Sequence, residues 1–171
     1  MSVEFRKATS RELSPIMEII DDAKAFMKAS GLNQWQDGYP NREIIGNDIE
    51  AGKTYVLVMD GLIAATAFVS FDGEPDYIEI DGAWPNDEPY MVIHKVAAAK
   101  AARGKGATVK LFEYIEELSR KKGVRNLRID THRDNLRMQG FLKKMGFFFC
   151  GNVEVTTFGD DKMRMGYQKI L

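Results

Sequence analysis

One strand–glycine turn–helix–strand unit, from Met91 to Asp130, constrains this chain more than any other stretch. Met91 to Ala98 is apolar and reads as a strand. A helix with Val109, Leu111, Phe112, Ile115 and Leu118 on its buried face runs to about Lys121 and ends at Gly123. Asn126 to Asp130 is the next strand. Between the first strand and the helix lies Arg103-Gly104-Lys105-Gly106-Ala107-Thr108. Two glycines let the backbone pass close to a ligand, and the N–H groups of a helix's first turn have no intrahelical acceptor. With the positive end of the helix dipole behind them and Arg103 and Lys105 beside them, they form an anion cradle. A phosphate or pyrophosphate is its natural occupant.

The remaining elements follow from local signals. Val3 to Lys7 alternates as a strand. Thr9-Ser10-Arg11-Glu12 is a capping box that opens a helix with Ile16, Ile19, Ile20, Ala23 and Met27 on one face, stopped by Gly31. Asn41 to Ala51 reads as a second helix. Thr54 to Met59 and Leu62 to Phe71 are strands joined by Asp60-Gly61, a hairpin signal. Tyr77 to Ile80 alternates as a strand, and Asp81 to Pro89 is irregular. A helix from Asn135 to Met145 is capped by Gly146, and Phe147 to Val155 and Lys162 to Ile170 are the last strands. Hairpins around a single strand–helix–strand unit predict an α/β (α+β) fold, a mixed and largely antiparallel sheet flanked by helices. No linker or repeat interrupts residues 1–171, so one domain is expected.

Composition narrows the partners. A formal net charge of −1 without long blocks of like charge argues against a general nucleic-acid binder. Leu62 to Val69 is too short to span a bilayer, and Met1 to Arg6 lacks the apolar core of a secretory signal, so no membrane partner and a cytoplasmic location are expected. Cys150, the one cysteine in the chain, allows no internal disulfide and reads as a small buried hydrophobe in a reducing compartment.

Three phosphate motifs compete for the glycine turn. A P-loop fails, because Val109-Lys110-Leu111 stands where Gly-Lys-Ser/Thr belongs. A dinucleotide fingerprint finds Gly104 and Gly106 but Val109 in place of its third glycine, although Asp130 ends the next strand as a ribose ligand would. The third matches best: the segment resembles the acetyl-CoA loop of the GNAT acetyltransferase superfamily, Arg/Gln-x-x-Gly-x-Gly/Ala, with Arg103 and Gly106 in place and Thr108 at the last position. Val96-Ala97-Ala98 stands where the family has Leu-Ala-Val. Asn135, followed by Leu142 to Phe147, is similar to its Asn-x-x-Ala-x-x-Leu-Tyr-x-x-x-Gly-Phe ending.

The resemblance implies a GNAT-like sheet with a splayed central strand pair and an acyltransferase that takes acetyl-CoA as acetyl donor. Backbone N–H groups around Val96, Ala97 and Ala98 would hold the pantetheine arm and polarise the thioester carbonyl. Arg103, Gly104, Lys105, Gly106, Ala107 and Thr108 would hold the pyrophosphate, and Asn135 would bond the cofactor near its thiol end. Asn135 also suits a helix N-cap. The family's proton-donating tyrosine is replaced by Leu142, so either Tyr90 or Tyr167 substitutes for it in space or the thiolate leaves without a dedicated acid.

Acetyl transfer to an amine needs a neutral nucleophile, hence a base with a pKa near neutrality. His94 precedes Val96 by two residues, so on a regular strand they share one face. Arylalkylamine acetyltransferases, by resemblance, carry a histidine there that acts in proton removal. His132 reads as a loop-orienting group. The histidines and Asp130 lack tight ligand spacing, so no metal is expected. Trp35, Tyr39 and Trp84, in turn-rich stretches, either line a pocket or staple loops to the core. Glu79, Asp81, Asp87 and Glu88 form either an acidic mouth or a solvated surface. The expected activity is N-acetylation of a small-molecule or protein amine by direct attack. The alternative is a CoA-binding regulatory or interaction module without turnover. Oligomeric state stays open, a homodimer included.

Overall fold

The computed structural model describes residues 1–156 and 159–171. Strands β1 (Val3–Lys7), β2 (Thr54–Met59), β3 (Leu62–Ser70), β4 (Asp81–Gly82), β5 (Tyr90–Ala98), β6 (Asn126–Thr131), β7 (Phe148–Glu154) and β8 (Met163–Ile170) form an open, mostly antiparallel sheet in the order β1-β2-β3-β5-β6-β8-β7-β4. The helices are α1 (Leu13–Ala29), α2 (Arg42–Glu50), α3 (Ala107–Lys121) and α4 (Leu136–Lys144). The chain divides into two compact units, Met1–Val69 with His94–Ile115 and Ser70–Ile93 with Glu116–Leu171.

In the first unit the capping box at Thr9 forms as expected. The Glu12 carboxylate accepts from the Thr9 backbone N–H at 2.9 Å and from Arg6 Nη1 at 2.8 Å. The Arg6 hydrogen bond leads the forces that hold this carboxyl at about 2, below an ordinary 4.5. Ile16, Ile19 and Ile20 recur at helical spacing and pack with Ile45 and Ile49 of α2, Val56 of β2 and Ala97 of β5. Asn41 caps α2 by accepting from the Ile44 N–H at 2.9 Å. Asp60 and Gly61 take φ of +51° and +81°, as a two-residue hairpin turn requires.

In the second unit β5 and β6 run parallel, Tyr90–Val92 against Asn126–Arg128. The β6–β8 register continues to Thr131, so β6 goes on past the end of its ladder with β5. Gly82 and Gly151 let β4 and β7 approach closely: a Cβ on either would lie 2.3 Å from the Cys150 carbonyl oxygen or 2.4 Å from that of Asp81. Tyr77, Val92, Val153 and Val155 make a core with Ile80, Trp84 and Tyr90.

Three local expectations are corrected. Asp81–Gly82, expected to be irregular, forms β4, paired antiparallel with Asn152 and Gly151 of β7. Pro75–Tyr77 is a 3-10 turn and not part of a strand. Trp84 Nε1 donates to the Tyr77 carbonyl at 2.8 Å, taking an acceptor that a strand ladder would use, and burial of the Tyr77 ring fixes the turn. Cys150 is only half-buried, because the β7 register shifts between Phe149 and Gly151.

Candidate active site

The first unit carries the glycine turn. After β5 a short 3-10 turn, Lys100–Ala102, leads into Arg103, whose backbone is extended. Gly104 and Gly106 take φ of +74° and +78°, and nothing lies within 4 Å of where their Cβ atoms would be. Both conformations favour glycine, and the open space beside them is the room a ligand needs. Ala107 is buried and starts α3. Lys110 N–H bonds the Gly106 carbonyl at 3.0 Å, so the N–H groups of residues 107–109 precede the first such bond and have no intrahelical acceptor. The Arg103 guanidinium lies 5.1 Å from the Phe26 ring centroid. Thr108 departs from the expected small residue at no conformational cost: it lies inside α3, and its φ is not positive. Positive-φ glycines, open space beside them and the N–H groups of a helix's first turn are what a phosphate cradle needs.

Immediately upstream, Lys95 has φ +54°, a left-handed conformation that non-glycine residues seldom take. Its side chain is almost fully buried: Nζ pairs with Asp48 Oδ2 at 2.9 Å and lies 4.4 Å from the Phe68 ring centroid and 5.7 Å from that of Tyr39. The His94 ring meets the same Phe68, at 5.6 Å between centroids. Two consecutive side chains on one ring break the strand's alternation, so the face shared by His94 and Val96 on a regular strand is not secured. His94 keeps its half-buried place beside Phe68. Val96 and Ala98 are half-buried and Ala97 is in the core. Nothing in the sequence marks Lys95, because a lysine does not advertise a positive φ.

The second unit carries the β6–α4 turn. Asn135 is largely buried, and its Oδ1 accepts from the Met138 N–H at 3.1 Å, so the N-cap role is realised. His132 is wholly buried and bonds Asp161 and the Asp134 backbone N–H. Tyr77 Oη donates to Asp130 Oδ2 at 2.6 Å; burial, with Asp130 alongside, pushes the Tyr77 phenol well up. Leu142 is wholly buried. Of the two tyrosines considered in its place, Tyr90 Oη accepts from the Glu74 N–H at 3.0 Å. Tyr167 packs edge-on against Phe149 and its phenol is raised by burial.

The aromatic loop residues divide. Trp35 packs against the first unit's core and Trp84 against the second's, so both act as staples. The buried Arg128 guanidinium lies 4.3 Å from the Trp84 ring centroid and 4.0 Å from that of Tyr90. Tyr39 instead reaches Lys95. Glu79, Asp81, Asp87 and Glu88 are exposed, and Glu88 accepts from Asn126 Nδ2 at 3.2 Å.

Known proteins resemble this arrangement. Residues 16–147 match the acetyltransferase (GNAT) family. A crystal structure of a GNAT-family acetyltransferase from Streptococcus agalactiae 2603 superposes with a TM-score of 0.89 at 34% identity, covering 99% of this chain and 95% of that one. The uncharacterized N-acetyltransferase YesJ of Bacillus subtilis (strain 168) is 24% identical over 74% of this chain and 71% of its own length. The fold is also that of the PaiA N-acetyltransferase of Thermoplasma acidophilum, solved in complex with coenzyme A, with a TM-score of 0.72 at 17% identity over all of both chains.

Proposed function

Because the chain belongs to the acetyltransferase (GNAT) family, we propose that it binds acetyl-CoA and, as a single domain, moves the acetyl group to a primary amine by direct attack. The observation that carries this is the turn at Gly104 and Gly106, with positive φ at both, open space at both Cβ positions, and a helix's first turn beginning at once. These residues fit a pyrophosphate, and the fold shared with a coenzyme A complex supports the same occupant. Acetyl-CoA supplies an activated acetyl group as a thioester.

The chain's own residues divide the work. Backbone N–H groups of residue 104 and residues 106–109, with the side chains of Arg103 and Lys105, hold the pyrophosphate; the Lys105 N–H is taken by the Ala102 carbonyl at 3.2 Å. Backbone N–H groups at Val96, Ala97 and Ala98 hold the pantetheine arm and polarise the carbonyl, donors placed for the charge that develops there. Asn135 bonds the cofactor near its thiol end. His94 takes the proton from the acceptor ammonium, whose lone pair must be free before attack. With Leu142 in the core, the thiolate leaves without a tyrosine at that position. The acceptor is a small-molecule or protein amine.

Leu142 favours the second reading, a CoA-binding module without turnover, and one assay separates the two. Calorimetry should show CoA binding, and a panel of amines offered with acetyl-CoA should release free thiol with at least one of them. Binding without release on every amine would favour the module. His94→Ala should lower kcat/KM on the order of 100-fold and flatten the acid limb of the pH profile; an unchanged profile removes His94 from the chemistry.

A further inference from the structure

The turn between β6 and α4 is organised around the buried ring of His132. The Asp134 backbone N–H donates to Nδ1 at 3.1 Å, so that nitrogen carries no proton. The ring proton sits on Nε2 and is donated to Asp161 Oδ2 at 2.6 Å. The His132 carbonyl accepts from the Asn135 N–H at 3.0 Å and from Gln139 Nε2 at 3.2 Å. Gln139 Nε2 also donates to the Arg133 carbonyl at 2.8 Å. Ring and carbonyl thus hold the backbone N–H groups of Asp134 and Asn135, two successive residues.

That grip matters because Asn135 has an unusual backbone. With φ −84° and ψ +69°, and the Leu136 N–H bonded to the Asp134 carbonyl at 3.0 Å, it is the centre of an inverse γ-turn. A one-residue turn has no ladder to secure it. The direction of the Asn135 side chain is set by its own bond from the Met138 N–H and by the two bonds that His132 makes to the backbone N–H groups of Asp134 and Asn135.

Asp161 lies between β7 and β8. Its carboxylate also faces Arg133 Nη1 at 3.6 Å and Arg164 Nη1 at 3.9 Å, and its carbonyl accepts from Arg164 Nη1 at 2.8 Å. Asp161, just before β8, is therefore latched onto the β6–α4 turn through the His132 ring and the Arg133 guanidinium.

We propose that His132 and Asp161 are a positioning pair for the cofactor, fixing the turn that presents Asn135 and making cofactor affinity depend on Asp161. This rests on the reading of Asn135 as a cofactor ligand. His132→Ala would open a hole in a buried turn, so Asp161, whose side chain is about one-fifth exposed, carries the test.

The experiment measures the CoA dissociation constant by calorimetry, and Tm without ligand, for Asp161→Ala, Asp161→Asn, Asn135→Ala and the double variant Asn135→Ala/Asp161→Ala. Asp161→Ala should weaken CoA on the order of tenfold, and Asp161→Asn, which keeps an acceptor for Nε2–H, should recover most of it. In the Asn135→Ala background the Asp161→Ala loss should shrink to less than about twofold, the non-additivity of coupled sites. A merely structural role would lower Tm and leave the dissociation constant alone, and that outcome overturns the proposal, as does full additivity. An unchanged constant in Asn135→Ala removes the Asn135 assignment and the pair's role with it. A loss there with none in Asp161→Ala removes the pair alone.

Discussion

At the residue scale, Glu12 shows how a local sequence signal becomes a measurable dependence on pH. Its carboxyl is held at about 2, chiefly by the Arg6 hydrogen bond. A group whose folded pKa lies below its unfolded value stabilises the fold above the unfolded pKa and loses that contribution as pH falls through the folded one. Stability from this pair should be complete above about pH 4.5 and should drain away toward pH 2. Glu12→Gln should lower Tm at pH 7 and narrow the drop in Tm between neutral and acid pH; parallel Tm–pH curves for both proteins would contradict this. The capping box was legible because it is written in four consecutive residues. The grip of Arg6 was not, since it comes from a strand outside that pattern.

At the element scale, the glycines separate two requirements that look alike in sequence. Gly82 and Gly151 stand where strand backbones nearly touch, and a Cβ at either would meet a carbonyl oxygen well inside contact distance. Gly140 lies in α4 with nothing within 4 Å of its Cβ position. Gly151→Ala should therefore cost about 2 kcal/mol by overpacking, while Gly140→Ala should gain roughly 0.5–1 kcal/mol in helix propensity. Thermal denaturation of the two variants reads both signs, and a loss at Gly140 would show that this face of α4 does more than bear helix. Period and turn chemistry make most elements legible: α1, α2, the Asp60-Gly61 hairpin and the glycine turn before α3 all follow from them. Tyr77-Ile78-Glu79-Ile80 misleads because its alternation comes from one buried aromatic ring and not from a ladder. The irregularity at Lys95 leaves no trace, since its backbone is set by what surrounds β5.

At the scale of the whole molecule, the net charge of −1 offers no general attraction to a polyanionic cofactor. On the proposed function, what draws it in is local: Arg103, Lys105 and the helix terminus behind them. Raising ionic strength from about 0.1 M to about 1 M shortens the screening length from roughly 10 Å to roughly 3 Å. The CoA dissociation constant should rise across that range, and Lys105→Gln, at an exposed position, should flatten the rise. A constant unaffected by salt would take these cations out of binding. The glycine turn and the Asn135 N-cap could be read from short motifs. The His132–Asp161 and Lys95–Asp48 pairs could not, because each joins residues that only the fold brings together.

The first unit is discontinuous along the chain, and its core of Ala8, Ile16, Ile19, Ile20, Ile45, Ile49 and Val56 is completed by Ala97. On a ribosome, which delivers residues in order, all but the last of these emerge early. Ser70–Ile93, which belong to the other unit, must then pass before Ala97 arrives. The nascent first unit therefore waits, its core unfinished, while the second has already begun to appear. Synthesis order and assembly order are interleaved in this chain, so the second unit begins to appear before the first can be finished.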